Sequence, residues 1–206
     1  MNASEQEKRN ASEVIFQPES NRQPIWHVIV LHVFTMFGYS LVWFYKNCRQ
    51  LSVLAGKIDS GEKAGVEGMD KVALRTLTQI HPALFTLALL VPVVQLVFAT
   101  IFFRTVARLY PANQSLVQRC SWLVGFGLTG SMVGLLCLAA LPGAFYLCFL
   151  AAAVPMAICQ YLLNALWRSV ESEDTMLRQA FSGGELAMLI LGSVLLGLVV
   201  TGLVNM

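Results

Sequence analysis

Three histidines are the side chains in this sequence best suited to haem ligation or to proton transfer near neutral pH. His27 and His32 are five residues apart, so one helix would point them about 140° away from each other. His81 stands at the start of a different apolar stretch. Axial haem ligation needs two histidines that meet at the same depth. The spacing therefore favours ordinary hydrogen-bonded histidines, and a redox or haem role would rest on these residues alone.

Amides inside apolar segments are the second chemical feature. Gln95 closely follows Pro92, and Gln160 and Asn164 lie one helical turn apart. An amide inside a membrane is costly unless it is paired, so these side chains should face other helices. They predict hydrogen bonds between helices or, as the alternative, the polar seam of a small transporter or channel subunit.

Ser182 and Glu185 have the spacing of a capping box. The Ser182 hydroxyl can accept a hydrogen bond from the Glu185 N–H, and the carboxylate can accept one from the Ser182 N–H. A carboxylate in the first turn also suits the helix dipole. The pair predicts a helix start before the last apolar stretch, with a proton or cation site at the membrane edge as the alternative.

No other constellation of residues indicates catalysis. No pair of carboxylates lies within an apolar stretch, and the sequence contains no zinc-protease, nucleophile-elbow or phosphate-loop motif. The 5 cysteines include no Cys-x-x-Cys, a pattern typical of small hydrophobic positions. We therefore predict a protein that is not an enzyme and that has no cofactor or metal.

The composition predicts a membrane protein, because 56% of the 206 residues are hydrophobic and 13% are charged, whereas soluble domains carry about 25% charged residues. A net charge of +2 without a basic tract argues against nucleic acid as a partner. We predict an all-α fold, a polytopic membrane helical bundle in which residues 24–206 form one domain with four or five spans. Its five apolar stretches are 25–45, 82–103, 122–141, 144–167 and 186–204.

The first apolar stretch organises the chain, since residues 1–23 form a polar tail that we predict to be disordered. Its 21 uncharged residues are enough for a helix to cross the hydrocarbon core of about 30 Å. Gly38 lies within it, however, and a break between Thr35 and Gly38 would make it a re-entrant hairpin instead. Pro92 raises the same alternative for the second stretch.

Aromatic and basic residues flank these stretches. Trp and Tyr favour the membrane–water interface, and long cationic side chains reach the lipid phosphates. We predict that position for seven residues, namely Trp26, Trp43, Tyr45, Lys46, Trp122, Trp167 and Arg168.

The third stretch carries small residues at helical spacing. Such a face lets two helix backbones approach closely, which drives association in lipid. The face consists of Gly127, Gly130, Ser131 and Gly134, and it predicts packing against another helix.

The segment Ser-Leu-Val-Trp-Phe-Tyr-Lys-Asn at 40–47 resembles the signature of a bacterial membrane family, domain of unknown function 4234, and of its relatives. The family's glycine after Thr is displaced, because Phe37 and Gly38 stand in swapped order. The positions that match this signature are Thr35, Tyr39, Trp43, Tyr45 and Lys46. Further segments that resemble the family are Leu74-Arg75-Thr76 with Pro92, residues 160–167, and Gly184-Glu185. The resemblance implies a small multi-pass protein of the bacterial cytoplasmic (inner) membrane, and it carries no established activity, substrate or cofactor.

The 14 Lys and Arg residues avoid the Pro142-Gly143 turn and the C-terminal end. The positive-inside rule places 168–185 in the cytoplasm and the C terminus outside in three arrangements: all stretches spanning, the second re-entrant, or the first two re-entrant. A re-entrant first stretch alone reverses this orientation. We expect the protein to act by binding lipid or a membrane-protein partner, a second copy of the chain included.

Overall fold

The computed structural model describes residues 20–35, 38–61, 70–79, 81–110, 116–139, 148–171, 175 and 180–204. Their regular structure is entirely helical, which confirms the all-α prediction. The helices are α1 (Ile25–Phe34), α2 (Gly38–Asp59), α3 (Lys71–Thr78), α4 (Pro82–Ala88), α5 (Pro92–Arg108), α6 (Leu116–Arg119), α7 (Ser121–Ala139), α8 (Cys148–Ala151), α9 (Ala153–Val170) and α10 (Gly183–Val204). Among these residues α7 alone is both long and apolar enough to cross a membrane, which supports membrane association only weakly.

The first apolar stretch is divided between two helices. The α1 helix ends at Phe34, and α2 begins at Gly38. Thr35 joins them, because its hydroxyl donates to the Leu31 carbonyl at 2.6 Å and accepts from the Tyr39 N–H at 2.8 Å. The Thr35 side chain thus caps both the end of α1 and the start of α2. The prediction of a single helix over this stretch is therefore wrong. The break lies where the re-entrant alternative requires it.

The second apolar stretch is divided as well. The α4 helix ends at Ala88, and α5 begins at Pro92, where the missing N–H of proline costs nothing. Val91 has φ −97° and ψ 114°, the extended conformation that a following proline favours. The break that Pro92 raised as an alternative is therefore present, as a complete separation of two helices.

Helix α2 extends far beyond the predicted end of the first stretch. The first apolar stretch was predicted to end at residue 45, but α2 runs for 22 residues to Asp59. Gly61, with φ 76°, provides the left-handed residue that commonly follows a helix. Buried residues recur along α2 from Tyr39 to Ala55, and this packing outweighs the weak helix propensity of Gly56.

The predicted disordered tail is too long by four residues, while residues 1–19 lie outside the described part of the chain. Ser20 and Gln23 are buried. The Ser20 hydroxyl donates to the Glu171 carboxylate at 2.5 Å, and the Asn164 amide donates to the Gln23 carbonyl at 2.8 Å. Residues 20–23 therefore belong to the folded core.

An aromatic cluster joins α2, α4 and α5. The rings of Phe44 and Phe102 are 5.2 Å apart between centroids and meet edge to face, a favourable geometry for aromatic pairs. Phe85 from α4 lies 5.9 Å from Phe102. The buried members of the cluster are Trp43, Phe44, Phe85, Phe102 and Phe103.

Helices α5 and α7 approach most closely at Gly125. A Cβ there would lie 2.9 Å from the Cβ of Arg104 and 3.0 Å from the carbonyl oxygen of Thr100. The Arg104 guanidinium also lies over the Trp122 ring, 3.5 Å from its centroid, in a cation–π contact.

The predicted small-residue face does not pack in the described part of the chain. Its four residues are exposed, and a Cβ on any of its glycines would meet nothing within 4 Å. Packing of Gly127, Gly130, Ser131 and Gly134 against another helix is therefore not found among the described residues. The close approach occurs instead at a neighbouring glycine on the other side of α7.

Replacing Gly125 with Leu should lower the melting temperature in detergent, because overpacking a close helix contact costs about 1–3 kcal/mol. The matched substitution Gly130→Leu, on the exposed side of the same helix, should leave the melting temperature nearly unchanged. Thermal unfolding followed by circular dichroism measures both. A larger loss for Gly130→Leu than for Gly125→Leu would contradict this packing.

Candidate functional site

A buried carboxylate joins three segments of the chain. Glu185, in the first turn of α10, is 5% exposed. The capping box is present: the Ser182 N–H donates to Glu185 Oε2 at 2.9 Å, and the Glu185 N–H donates to Ser182 Oγ at 3.3 Å. The other carboxylate oxygen accepts from Gln23 Nε2 at 3.4 Å and lies 3.8 Å from Lys46 Nζ. The segment before α1 and the middle of α2 therefore both meet the start of α10.

A network of amides continues from this carboxylate into the core. Gln23 Nε2 donates to Tyr39 Oη at 2.7 Å, and the Gln23 N–H donates to Asn164 Oδ1 at 3.1 Å. Gln160 Nε2 donates to Asn164 Oδ1 at 2.9 Å, and Gln160 Oε1 accepts from Trp43 Nε1 at 2.7 Å. Two amides of the predicted seam thus meet in one interhelical network, which fixes α1 and α2 against α9.

The third amide of the predicted seam lies elsewhere. Gln95 is half-buried in the first turns of α5, and within the described residues it forms no hydrogen bond to Gln160 or Asn164. Gln160 and Asn164 form their hydrogen bonds with other protein groups. Their arrangement therefore favours hydrogen bonding between helices over a water-lined seam.

Two of the predicted interface anchors are core residues instead. Trp43 is 0% exposed and Trp167 is 3% exposed, so the interface prediction is wrong for both. Trp43 is buried because its N–H has an acceptor in Gln160 and its ring contacts Phe102 of the aromatic cluster. The remaining predicted anchors retain exposed surface, namely Trp26, Tyr45, Lys46, Trp122 and Arg168.

The histidines occupy separate surroundings. The His27 ring stacks on Phe181 with centroids 4.2 Å apart. His32 Nδ1 lies 3.0 Å from Ser40 Oγ, and His81 is exposed in front of α4. They therefore do not form one ligand set in this arrangement.

A cavity of about 360 Å³ opens beside the Glu185 network, between α2, the end of α9 and the segment before α1. Ligand pockets have volumes of about 300–1,000 Å³. We call this cavity the basic pocket, and its walls are Asn21, Tyr45, Lys46, Arg49, Gln50, Val53, Leu54, Lys57 and Trp167. Most of these residues belong to α2 at spacings of three or four, so one face of that helix forms most of the wall.

Three cationic side chains border the basic pocket. Lys46 is half-buried and forms a salt bridge with Glu185, which neutralises its charge. Arg49 and Lys57 are exposed, and within the described part of the chain neither forms a salt bridge. The positive charges of Arg49 and Lys57 are therefore not neutralised by other described side chains. They are available to a ligand.

Two residues of the pocket walls also carry a buried polar atom that lacks a hydrogen-bond partner among the described residues, namely Trp167 Nε1 and Gln50 Oε1. A buried donor without an acceptor costs about 1–3 kcal/mol. An indole N–H can only donate, whereas an amide can present its oxygen or, after a flip, its NH₂ group. Together with the cations, the indole N–H makes this a site for a ligand that brings anionic acceptor oxygens.

Replacing Gln160 with Leu should destabilise the protein by about 1–3 kcal/mol, because Trp43 Nε1 would be left buried without its acceptor. The double variant Gln160→Leu with Trp43→Phe should lose less than the sum of the single variants, by about 1 kcal/mol, because both partners of the bond are then removed. Unfolding of the four proteins in detergent measures this coupling. Strict additivity would contradict the bond.

Comparison of the chain with models of protein families, with curated proteins and with solved structures finds no match.

Proposed function

We propose that the protein is an integral membrane protein of several spans that binds the headgroup of an anionic lipid in the basic pocket and is not an enzyme. The observation that carries this proposal is the combination, around one pocket, of the cations Arg49 and Lys57 with Trp167, whose indole N–H has no hydrogen-bond partner among the described residues. The several acceptor oxygens of one anionic headgroup can serve these groups together.

Exposed apolar surface supports a position in the membrane. Large exposed apolar surfaces mark contact with a membrane or a partner protein. The surfaces of α5, α7 and α10 carry such side chains, each more than half exposed, at Val93, Val97, Leu123, Phe126, Ile190, Leu191, Val194 and Leu198. Helix α10 has 22 residues with one carboxylate in its first turn, so its length suffices for a span.

Cationic side chains at one end of the helices support a single orientation. Lys46 meets the start of α10, and Arg104 covers Trp122 at the start of α7. Arg22 Nε lies 3.3 Å from the Glu171 carboxylate, just after α9. Our proposal therefore takes α7, α9 and α10 as spans and the first two apolar stretches as re-entrant. The positive-inside rule then assigns the basic pocket to the cytoplasmic face.

The chemistry of a lipid phosphate matches the basic pocket. Arg49 can bind two phosphate oxygens with its planar guanidinium, and Lys57 adds a second charge two turns further along α2. Trp167 Nε1 can donate to a third oxygen. Tyr45 and Val53 form a less polar part of the wall beside these groups. This part suits the glycerol portion of a lipid. The transporter alternative gains less support, because its proposed amides are engaged with one another.

The double variant Arg49→Gln with Lys57→Gln should bind anionic phospholipid at least about tenfold more weakly, because a hydrogen bond to a charged group contributes about 1.5–3 kcal/mol. The measurement is native mass spectrometry or fluorescent-lipid titration of the full chain in zwitterionic nanodiscs. The control Lys71→Gln with Arg75→Gln removes the same charge outside the pocket and should keep the affinity. Equal affinity of both double variants and the parent would overturn the proposal.

Two further arms of this experiment sharpen the result. Trp167→Phe should weaken lipid binding severalfold, because the indole N–H is lost. The smaller ring also leaves a cavity in the core, where Trp167 is 3% exposed, so binding is compared at a temperature at which both proteins are folded. Inorganic phosphate should compete poorly. Phosphate binding as tight as lipid binding would identify a soluble anion as the ligand and reject a lipid.

A further inference from the structure

A second cavity, of about 480 Å³, lies in the crevice between α5 and α7. Its α5 wall consists of two pairs of residues one turn apart, 96–97 and 100–101, and its α7 wall includes Trp122, Phe126 and Gly130. These spacings place each set of residues on one face of its helix. The walls are mostly aliphatic and aromatic, so the cavity suits a hydrophobic molecule. We call it the apolar groove.

The aromatic end of the apolar groove is held in one orientation. The rings of Trp122 and Phe126, one turn apart on α7, are within 16° of parallel, with centroids 5.5 Å apart. The Arg104 guanidinium lies over the Trp122 ring, 3.5 Å from its centroid, in a contact that restrains the ring. Aromatic side chains that are already ordered lose little conformational entropy when a planar molecule packs against them.

One polar group on the walls of the apolar groove has no partner. Thr129 lines the groove and is 2% exposed, and its hydroxyl forms no hydrogen bond among the described residues. A threonine on a helix has two accessible χ1 rotamers, and its hydroxyl hydrogen rotates to suit an acceptor. Thr129 can therefore donate to an oxygen in the groove. A buried donor without an acceptor is unfavourable, so such an oxygen would stabilise the site.

The depth of Thr129 decides which ligand can supply that oxygen. Helix α7 is a span in the proposed function, and Trp122 at its start lies at the interface. Thr129 lies seven residues after Trp122, about 10 Å along α7, and is therefore within the hydrocarbon core of about 30 Å. Acyl chains carry no acceptor at that depth. The ligand must bring its own oxygen on an apolar body.

We infer that the apolar groove binds a lipid-soluble quinone. A carbonyl oxygen of the quinone accepts a hydrogen bond from the Thr129 hydroxyl, and its flat ring packs beside Trp122 and Phe126. The aliphatic side chains at 96–97 pack against its apolar tail. This inference rests on the membrane position in the proposed function but not on headgroup binding in the basic pocket.

Tryptophan fluorescence of the full chain in zwitterionic nanodiscs tests the inference, because a quinone in the groove quenches Trp122. The probe is a benzoquinone with a decyl chain, and the competitor is decylbenzene, which lacks the carbonyl oxygens. Quenching should saturate, should lose most of its saturable amplitude in Trp122→Phe, and should resist decylbenzene. Displacement of the quinone by an equal concentration of decylbenzene would identify a groove for any alkyl chain and overturn the inference. Unchanged saturable quenching in Trp122→Phe would overturn it as well.

Two matched threonine variants test the hydrogen bond. Thr129→Val should weaken quinone binding about threefold to tenfold, the effect of one lost hydrogen bond. Thr100→Val makes the same change on the opposite wall, where the hydroxyl already donates to the Leu96 carbonyl at 2.7 Å, and should change the affinity by less than about twofold. Parent-like affinity of Thr129→Val would reject a quinone held at this residue.

Two matched glycine variants test the location. Gly130→Leu should abolish saturable quenching, because its side chain would extend over the preceding turn of α7 and occupy the groove. Gly127 is exposed and does not line the groove, so Gly127→Leu should bind quinone as the parent does. Melting temperatures close to that of the parent show that both variants are folded. Normal quinone binding by Gly130→Leu would reject the groove as the site.

The variant Arg49→Gln with Lys57→Gln separates the two proposals. It leaves the apolar groove in place, so it should bind quinone as the parent does. Loss of quinone binding in this variant would assign the quinone to the basic pocket and overturn the inference. A parent that binds quinone but not anionic lipid would instead retain the inference and reject the proposed function.

Discussion

The carboxylate of Glu185 is the constraint on which the rest of this arrangement depends. A buried carboxylate is costly unless hydrogen bonds and a cation compensate it. Here the Ser182 N–H, Gln23 Nε2 and Lys46 Nζ do so from three different segments. Because these groups must converge on one point, the start of α1, the middle of α2 and the start of α10 are held together. The position of the basic pocket follows, since α2 forms most of its wall.

The local features of the fold could be predicted because short-range rules decide them. The Ser182–Glu185 capping box depends on residues three apart, and the break at Pro92 depends on one missing N–H. The break between Thr35 and Gly38 was visible only as an alternative. Choosing it requires the tertiary contact of Gly192 with the backbone of Phe34 and Thr35, which the sequence pattern does not contain.

The candidate site was harder to predict because it depends on which face of each helix is buried. The four-residue recurrence of Tyr45, Arg49, Val53 and Lys57 was a signal for one helical wall, but the glycine-rich segment that follows concealed how far α2 extends. Trp43 has the composition of an interface anchor, yet Gln160 supplies the acceptor that allows its burial. The small residues on α7 likewise indicated close packing. They did not show whether Gly125 or Gly130 makes the close contact.

The central claim is that the first apolar stretch returns to the face from which it starts. Single cysteines at Asn21, just before α1, and at Ser60, beyond the pocket end of α2, test it directly in a cysteine-free background. Labelling with a membrane-impermeant maleimide in right-side-out and inverted vesicles gives the side of each position. The account predicts that both are labelled from the cytoplasmic side. Labelling of the two positions from opposite sides would contradict it.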